Sequence, residues 1–158
     1  GMGPQAFARS AGVSFDEAQK FIDEYFHDFS DIKTWQEKTI SKAMQTGYVE
    51  NLNGRKRWLP NLISDSPRSM NEAVRAAINM PIQGLAADII KIAMIRVAGE
   101  APEAKLILTI HDELVFEVPD VMLKEVSDKI KKIMESAYEL KVPLKVDVAS
   151  GKNWAEIS

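Results

Sequence analysis

Two short apolar runs, Leu106-Ile107-Leu108-Thr109-Ile110 and Leu114-Val115-Phe116-Glu117-Val118, flank the polar trio His111-Asp112-Glu113. Both runs are rich in branched or aromatic residues, so each reads as a strand. A break this short forces an antiparallel hairpin, because a parallel return needs a long crossover. His111, Asp112 and Glu113 therefore sit at or beside its tip. Two adjacent carboxylates and an imidazole on a rigid arm can hold a divalent cation. Asp is also a common turn former, and pattern alone favours a merely solvated tip.

Composition narrows what such a tip could do. The chain has 158 residues, which fits one domain or part of a larger one. At 46% hydrophobic and 27% charged, it can bury a core. Cysteine is absent and there are only two histidines. Disulfides, thiolate metal sites and a typical zinc site are therefore disfavoured, and a metal would be a hard cation on oxygen ligands. No uninterrupted apolar run approaches the ~20 residues of a membrane span, and there is no signal-peptide pattern. We expect a cytoplasmic protein with no membrane partner. Net charge is -3, so nucleic-acid binding would need a local basic patch.

Taken in order, the chain opens Gly1-Met2-Gly3-Pro4, which reads either as a residue ahead of an initiator or as a start inside a longer protein. Residues 4–11 predict a short helix closed by Gly12. Ser14 and Glu17 form a capping box for a helix carrying Ala18, Phe21, Ile22, Tyr25 and Phe29. A further helix starts near Ser30 or Asp31, carries Ile32, Trp35, Ile40, Ala43 and Met44, and stops at Gly47. The aromatic residues of both helices read as packing. Tyr48–Leu52 and Arg55–Pro60 around Asn53-Gly54 predict a hairpin with a type I′ turn. Alternation sends Arg55 and Arg57 to one face and Lys56 and Trp58 to the other. These cations suit phosphate contact, and equally suit guarding a sheet edge. Residues 61–68 look like a polar loop.

Residues 69–98 carry the longest helical pattern, with a kink or break expected at Pro81. Ile82, Leu85, Ala86, Ile89, Ala93 and Val97 make an apolar stripe. Arg75, Asn79 and Gln83 lie at i, i+4 and i+8, on one face. A guanidinium and two carboxamides in a row can donate to the minor-groove acceptors that every base pair presents, although such a row is more often an exposed polar face. After the central hairpin, Asp120 is placed to cap a helix with Val126, Ile130, Ile133, Met134 and Ala137 inward. Leu144, Val146 and Val148 then alternate with Lys145 and Asp147 as a last strand over 143–149. No repeat or internal domain boundary is visible.

Several separate stretches coincide with one family. Gly47-Tyr48-Val49-Glu50 with Gly54-Arg55-Lys56-Arg57-Trp58-Leu59-Pro60, then Asn79-Met80-Pro81-Ile82-Gln83-Gly84 with Ala86-Ala87-Asp88-Ile89-Ile90-Lys91, then His111-Asp112-Glu113-Leu114-Val115 follow in order. From about residue 2 to residue 154 the chain resembles the C-terminal part of a family A DNA polymerase, of the bacterial DNA polymerase I type. The resemblance implies an α+β fold: an antiparallel palm sheet with a catalytic β-hairpin, packed by long helices, plus a helical remnant of the fingers. Residues 1–158 would be a single partial polymerase domain, with about 1–68 fingers-derived helices and basic hairpin and about 69–158 palm-derived. Three or more strands, including the hairpin and 143–149, are expected in one sheet. One open edge could pair with another copy.

The resemblance also implies roles. Asp112 would be one of two metal-binding aspartates, Glu113 the carboxylate that supports the site, and His111 a neighbour of the primer terminus. Arg75, Asn79 and Gln83 match positions that contact template or primer. Arg55 and Arg57 are the further candidates for DNA. Trp58 stands where the family more often has tyrosine. The family's reaction joins a primer 3′-hydroxyl to the α-phosphate of a deoxynucleoside triphosphate on primer–template DNA, with two Mg²⁺ ions ~3.5–4 Å apart. The other catalytic aspartate and the nucleotide-binding fingers helix belong to motifs upstream of anything in this chain. It therefore resembles a fragment, expected to be inactive alone and to bind Mg²⁺ weakly. Two rival classes remain at this point: a non-catalytic nucleic-acid-binding remnant, and a folded remnant with no nucleic-acid role.

Overall fold

A computed structural model describes residues 2–156. The chain divides into two compact units between Leu85 and Ala86, and each is described by itself.

The first unit opens with three helices whose limits are set by local chemistry. Helix α1 (Pro4–Ala11) has proline in its first turn, where no amide hydrogen is needed, and stops at Gly12, φ 70°. Helix α2 (Phe15–Asp28) begins at the predicted capping box. The Ser14 hydroxyl oxygen accepts the Glu17 N–H at 3.2 Å, and the Ser14 N–H donates to Glu17 Oε2 at 2.9 Å. Helix α3 (Ser30–Thr46) ends at Gly47, φ 78°, whose N–H returns to the Ala43 carbonyl.

Strands β1 (Tyr48–Glu50) and β2 (Lys56–Trp58) pair antiparallel in the register Tyr48↔Trp58, Val49↔Arg57, Glu50↔Lys56. The turn between them differs from the two-residue type I′ expectation. Asn51 leaves the strand, and its side-chain oxygen accepts the N–H groups of Asn53 and Arg55, both at 3.0 Å. The Gly54 N–H closes onto the Asn51 carbonyl, and Gly54 alone in this turn takes positive φ, at 78°. The result is a three-residue loop with glycine in the left-handed position. Asn51 is buried, so this side chain supplies acceptors that water cannot reach.

Residues 61–68 are not simply a polar loop. Pro60–Ile63 form a 3-10 turn that sinks Leu62, 3% exposed, into the core. Helix α4 then runs from Pro67 to Glu100, helical throughout, so the expected break at Pro81 does not occur. Ala43, Val49, Leu59, Leu62, Ala73, Ala77 and Met80 form the first core. The buried face of α4 is thus its small-residue face. Ile82, assigned to the apolar stripe, is 62% exposed.

The aromatic residues of α2 and α3 also depart from expectation. Phe21, Tyr25, Phe29 and Trp35 remain exposed, and only Ala18 in α2 and Ala43 in α3 are buried. The rings touch one another instead: Phe7 stacks on Phe21 at 4.9 Å and Tyr25 lies 5.0 Å from Phe29.

The second unit has its own core of Val97, Ala101, Ala104, Val126, Ile130 and Ile133, with Phe116, Val118, Met122 and Met134 packed against it. Strands β3 (Lys105–Ile110) and β4 (Glu113–Glu117) form the antiparallel hairpin. Helix α5 (Leu123–Glu135) buries the expected Val126, Ile130 and Ile133. Asp120 does not cap it: Asp120–Met122 form a 3-10 turn first, and the Asp120 carboxylate pairs with Lys152. The strand expected over 143–149 does not form, so the three-stranded sheet is replaced by two separate two-stranded ones. Alternation describes one side of a ladder, and none of the described strands pairs with this segment. The Val146 N–H donates to Glu135 Oε1 at 3.2 Å.

Helix α4 is long and apolar enough, by length and composition, to cross a membrane, contrary to the reading from uninterrupted runs. Averaging over a window tolerates Asp88 and Lys91, which break the run. A core helix rich in alanine and isoleucine passes the same test.

The capping box makes one testable contribution. Hydrogen bonds from the Ser14 side chain and then its backbone hold the Glu17 carboxyl below its ordinary value of 4.5. A lowered folded pKa adds stability that is present above 4.5 and lost as pH falls through the folded value. In an NMR titration, Ser14→Ala should move the Glu17 midpoint back up toward 4.5 and remove that acid-dependent fraying of α2.

Candidate nucleic-acid interface and carboxylate hairpin

The β3–β4 hairpin turns through two residues, His111 and Asp112, between the paired Ile110 and Glu113. His111 has φ 53° and is the one non-glycine residue of positive φ among the described residues. Positive φ at the first central position alone matches the type II′ class, where glycine is usual. The turn thus lifts His111 and Asp112 out of the strands, while Glu113 is already a ladder residue. All three are exposed.

A bulge between Leu106 and Leu108 shifts the register of β3, while β4 runs without interruption from Glu113 to Glu117. Leu106 pairs with Phe116, whereas Leu108 pairs with Val115. Neighbours on a strand point to opposite faces, so Phe116 and Glu113 lie on opposite sides of the hairpin. Phe116 packs on the core. Glu113 is therefore carried on the face turned away from it. The bulge was not legible as a break in the apolar run.

The first unit holds the other candidates. Arg75, Asn79 and Gln83 lie along α4 at four-residue intervals, about 6 Å apart along the axis. Arg75 and Gln83 are exposed and Asn79 is half-buried. No side-chain hydrogen bond or ion pair engages these three among the described residues, so their donors face solvent or a ligand. Gly84, one residue beyond Gln83, lets the hairpin head close in: a Cβ there would lie 3.5 Å from the Asn51 side-chain nitrogen and 3.3 Å from Met80 Cε. Arg57 leaves that hairpin on the side opposite Lys56 and Trp58, Arg55 lies ahead of the strand in the turn, and both are exposed.

The chain matches the profile described as DNA polymerase family A over residues 1–156. It belongs to that family. It is similar to the thermostable DNA polymerase I of Thermus filiformis, 43% identical over 159 residues, across 99% of this chain and 19% of that protein. It is likewise similar to the DNA polymerase I of Bacillus subtilis (strain 168), 41% identical across 98% of this chain and 18% of that protein. Among solved structures, the POL domain of Pol1 from M. smegmatis, in complex with DNA primer-template and dNTP, matches with a TM-score of 0.93 and 35% identity. That match covers 99% of this chain and 28% of the M. smegmatis chain. The chain spans about a fifth of the length of the curated relatives it matches.

Family A polymerases use divalent metals generally. Among the described residues, no group of three or more His, Cys, Asp or Glu side chains could hold a metal ion. What the hairpin offers is a partial oxygen donor set, Asp112 in the turn and Glu113 beside it. That set fits Mg²⁺, which keeps several waters and is held by one or two carboxylates plus phosphate.

The turn geometry separates fold from function at His111. Glycine at this position accepts φ 53° without strain. His111→Gly should leave stability within about 1 kcal/mol, while His111→Val, β-branched at positive φ, should cost about 1–2 kcal/mol. Equilibrium urea unfolding of the two variants measures the difference.

Proposed function

We propose that this chain is part of a template-directed DNA polymerase that extends a primer 3′ end by metal-assisted phosphoryl transfer. The observation that carries this reading is the His111-Asp112-Glu113 tip on a braced antiparallel hairpin, in a chain of this family. Asp112 would supply a metal-bridging carboxylate, Glu113 would support it from the adjacent ladder position, and His111 would stand near the primer terminus. Bound Mg²⁺ would stabilise the attacking and leaving oxygens in the complete enzyme. The partners, primer–template DNA and a deoxynucleoside triphosphate, follow from those of the M. smegmatis Pol1 structure. A cytoplasmic location goes with this role. The outer edges of the β3–β4 hairpin, unpaired among the described residues, would also allow pairing with a second copy.

Arg75, Asn79 and Gln83 would read the minor groove, where purine N3 and pyrimidine O2 present similar acceptors in every pair. Arg55 and Arg57 would meet phosphate. About 1–68 would then serve as fingers and about 69–158 as palm. Binding to duplex should be weak, salt-sensitive and nearly indifferent to sequence. Replacing Arg75, Asn79 and Gln83 together by Ala should weaken primer–template binding without unfolding the chain. Unchanged affinity in a fluorescence titration counts against the assignment.

Asp112 offers one strong metal-bridging carboxylate, so the 158-residue chain alone should show millimolar or weaker Mg²⁺ affinity and no detectable primer extension. Supplying the remaining polymerase segments of a family A relative as a complementing polypeptide should restore extension. In that assembly Asp112→Asn should cost more than ~100-fold, the scale of a lost electrostatic stabiliser. Glu113→Gln should be milder. Single-turnover extension of a labelled primer at saturating Mg²⁺ is the measurement. Near-normal extension by Asp112→Asn, or robust extension by the chain alone, would reject the reading. Duplex binding that persists where no complement restores extension would favour a non-catalytic nucleic-acid-binding role.

A further inference from the structure

The basic hairpin carries a feature that phosphate contact does not explain. Trp58 is 67% exposed, at the end of the strand Lys56–Trp58 and directly after three consecutive residues bearing cations, Arg55, Lys56 and Arg57. Lysine and arginine on a short edge strand discourage pairing with other chains, and that account covers the cations. It does not cover a largely exposed indole, which does the opposite of guarding an edge.

The ring is also held in place. Its benzo edge lies over Gly47, where even a Cβ would be 3.9 Å from Cε3 and Cζ3. Its cross-strand partner Tyr48 meets it edge-on, centroids 5.1 Å apart and planes at 62°. Lys56, two residues before Trp58 and on the same face, places its ammonium 4.4 Å from the Tyr48 ring centroid. Glu50, opposite Lys56, carries its carboxylate over the turn, 3.5 Å from where a Gly54 Cβ would be. The face therefore presents an indole buttressed on one side, with an ammonium beside it, while the Arg57 side chain leaves the opposite face.

We infer that Trp58 is a stacking platform for an unpaired base, with Lys56, on the same face, contacting the phosphates of the same single strand. The inference rests on the nucleic-acid reading above but assigns a different surface and a different form of nucleic acid. An aromatic side chain beside cations binds single strands with little regard to sequence, because every base has a π-face and every nucleotide a phosphate. Duplex hides those faces in its stack and offers nothing to Trp58. A ring already fixed by Gly47 and Tyr48 loses little rotamer freedom when a base settles on it. The charge fits as well: in a chain of net charge -3, this cluster of cations is a local reversal of sign.

The test uses the full chain with Trp35→Phe and Trp154→Phe, which leaves Trp58 as its one indole. Single-stranded oligo(dT) should quench the Trp58 emission saturably, and blunt duplex should not. By anisotropy of a labelled oligo(dT), Trp58→Ala should weaken binding about fivefold or more, and Trp58→Phe should keep most of the affinity. Lys56→Ala should lower the salt slope by about 0.7 while quenching persists at low salt. Circular dichroism of each variant checks that the fold is intact, and the quenching arm needs no change at Trp58. Absence of quenching, equal quenching by blunt duplex, or unaltered oligo(dT) affinity in Trp58→Ala overturns the inference. If duplex binding that depends on Arg75, Asn79 and Gln83 survives such a result, only the stacking site falls. If neither form of nucleic acid is bound, the inference falls together with the reading it rests on.

Discussion

The shared burial of one seven-residue cluster is the constraint on which the first unit depends. Its core contains Ala43, Ala73 and Ala77 at 0–6% exposure, with Val49, Leu59, Leu62 and Met80 filling between them. These residues come from α3, β1, α4 and the 59–63 stretch, and they bury one another. A larger residue would overfill a close-packed interior. On α4 the buried positions 73, 77 and 80, followed by Gly84, run along one face at helical spacing. That choice turns the isoleucine face of the helix outward and exposes Ile82. It also sends Arg75 to the side away from the core, since two residues on an ideal helix are about 200° apart. The packing of small residues thus orients the donor row.

The two hairpins show how turns decide what a strand presents. In the first, one buried amide oxygen takes two backbone N–H groups and makes Asn51 the hinge of the loop. Satisfying buried donors outweighs the intrinsic preference of Asn-Gly for a two-residue turn. In the second, His111 adopts a positive φ that places Asp112 in the turn and Glu113 in the ladder. Adjacent carboxylates on a regular strand would point apart. A turn between them removes that requirement and is the physical reason a tip, not a strand interior, suits a shared ion.

Legibility in the sequence followed the range of the interaction. Gly12, Gly47 and the Ser14–Glu17 box were readable because each acts within one turn of chain. The central hairpin was readable because its partner strand begins after a two-residue turn. What failed depended on distant partners. Leu144, Val146 and Val148 alternate like a strand, yet a strand exists only where a neighbour accepts its ladder. Of the stripe expected on α4, Ala93 and Val97 are buried, whereas Ile82 faces out. The aromatic residues Phe21, Tyr25 and Phe29 sit at helical spacing and still face outward. For the candidate site, residue types and spacing were legible, but the bulge in β3 was not, since it is a property of two strands and not of either alone.

The distribution of charge sets what this chain can contribute to the chemistry. Asp112 and Glu113 are exposed, and no third His, Cys, Asp or Glu completes a metal-binding group among the described residues. Two carboxylates in water hold a hydrated dication weakly, because each must displace water from a shell that Mg²⁺ gives up reluctantly. Their attraction rises when solvent is excluded and a second set of oxygens arrives with the substrate phosphates. On the proposed reading, such a site would be assembled by its ligands, and its strength would belong to the complex of protein, metal and nucleotide. The hairpin's own share is positional. A two-residue turn on a paired, bulged ladder that is anchored through Phe116 keeps the carboxylates within a narrow range of positions before anything binds.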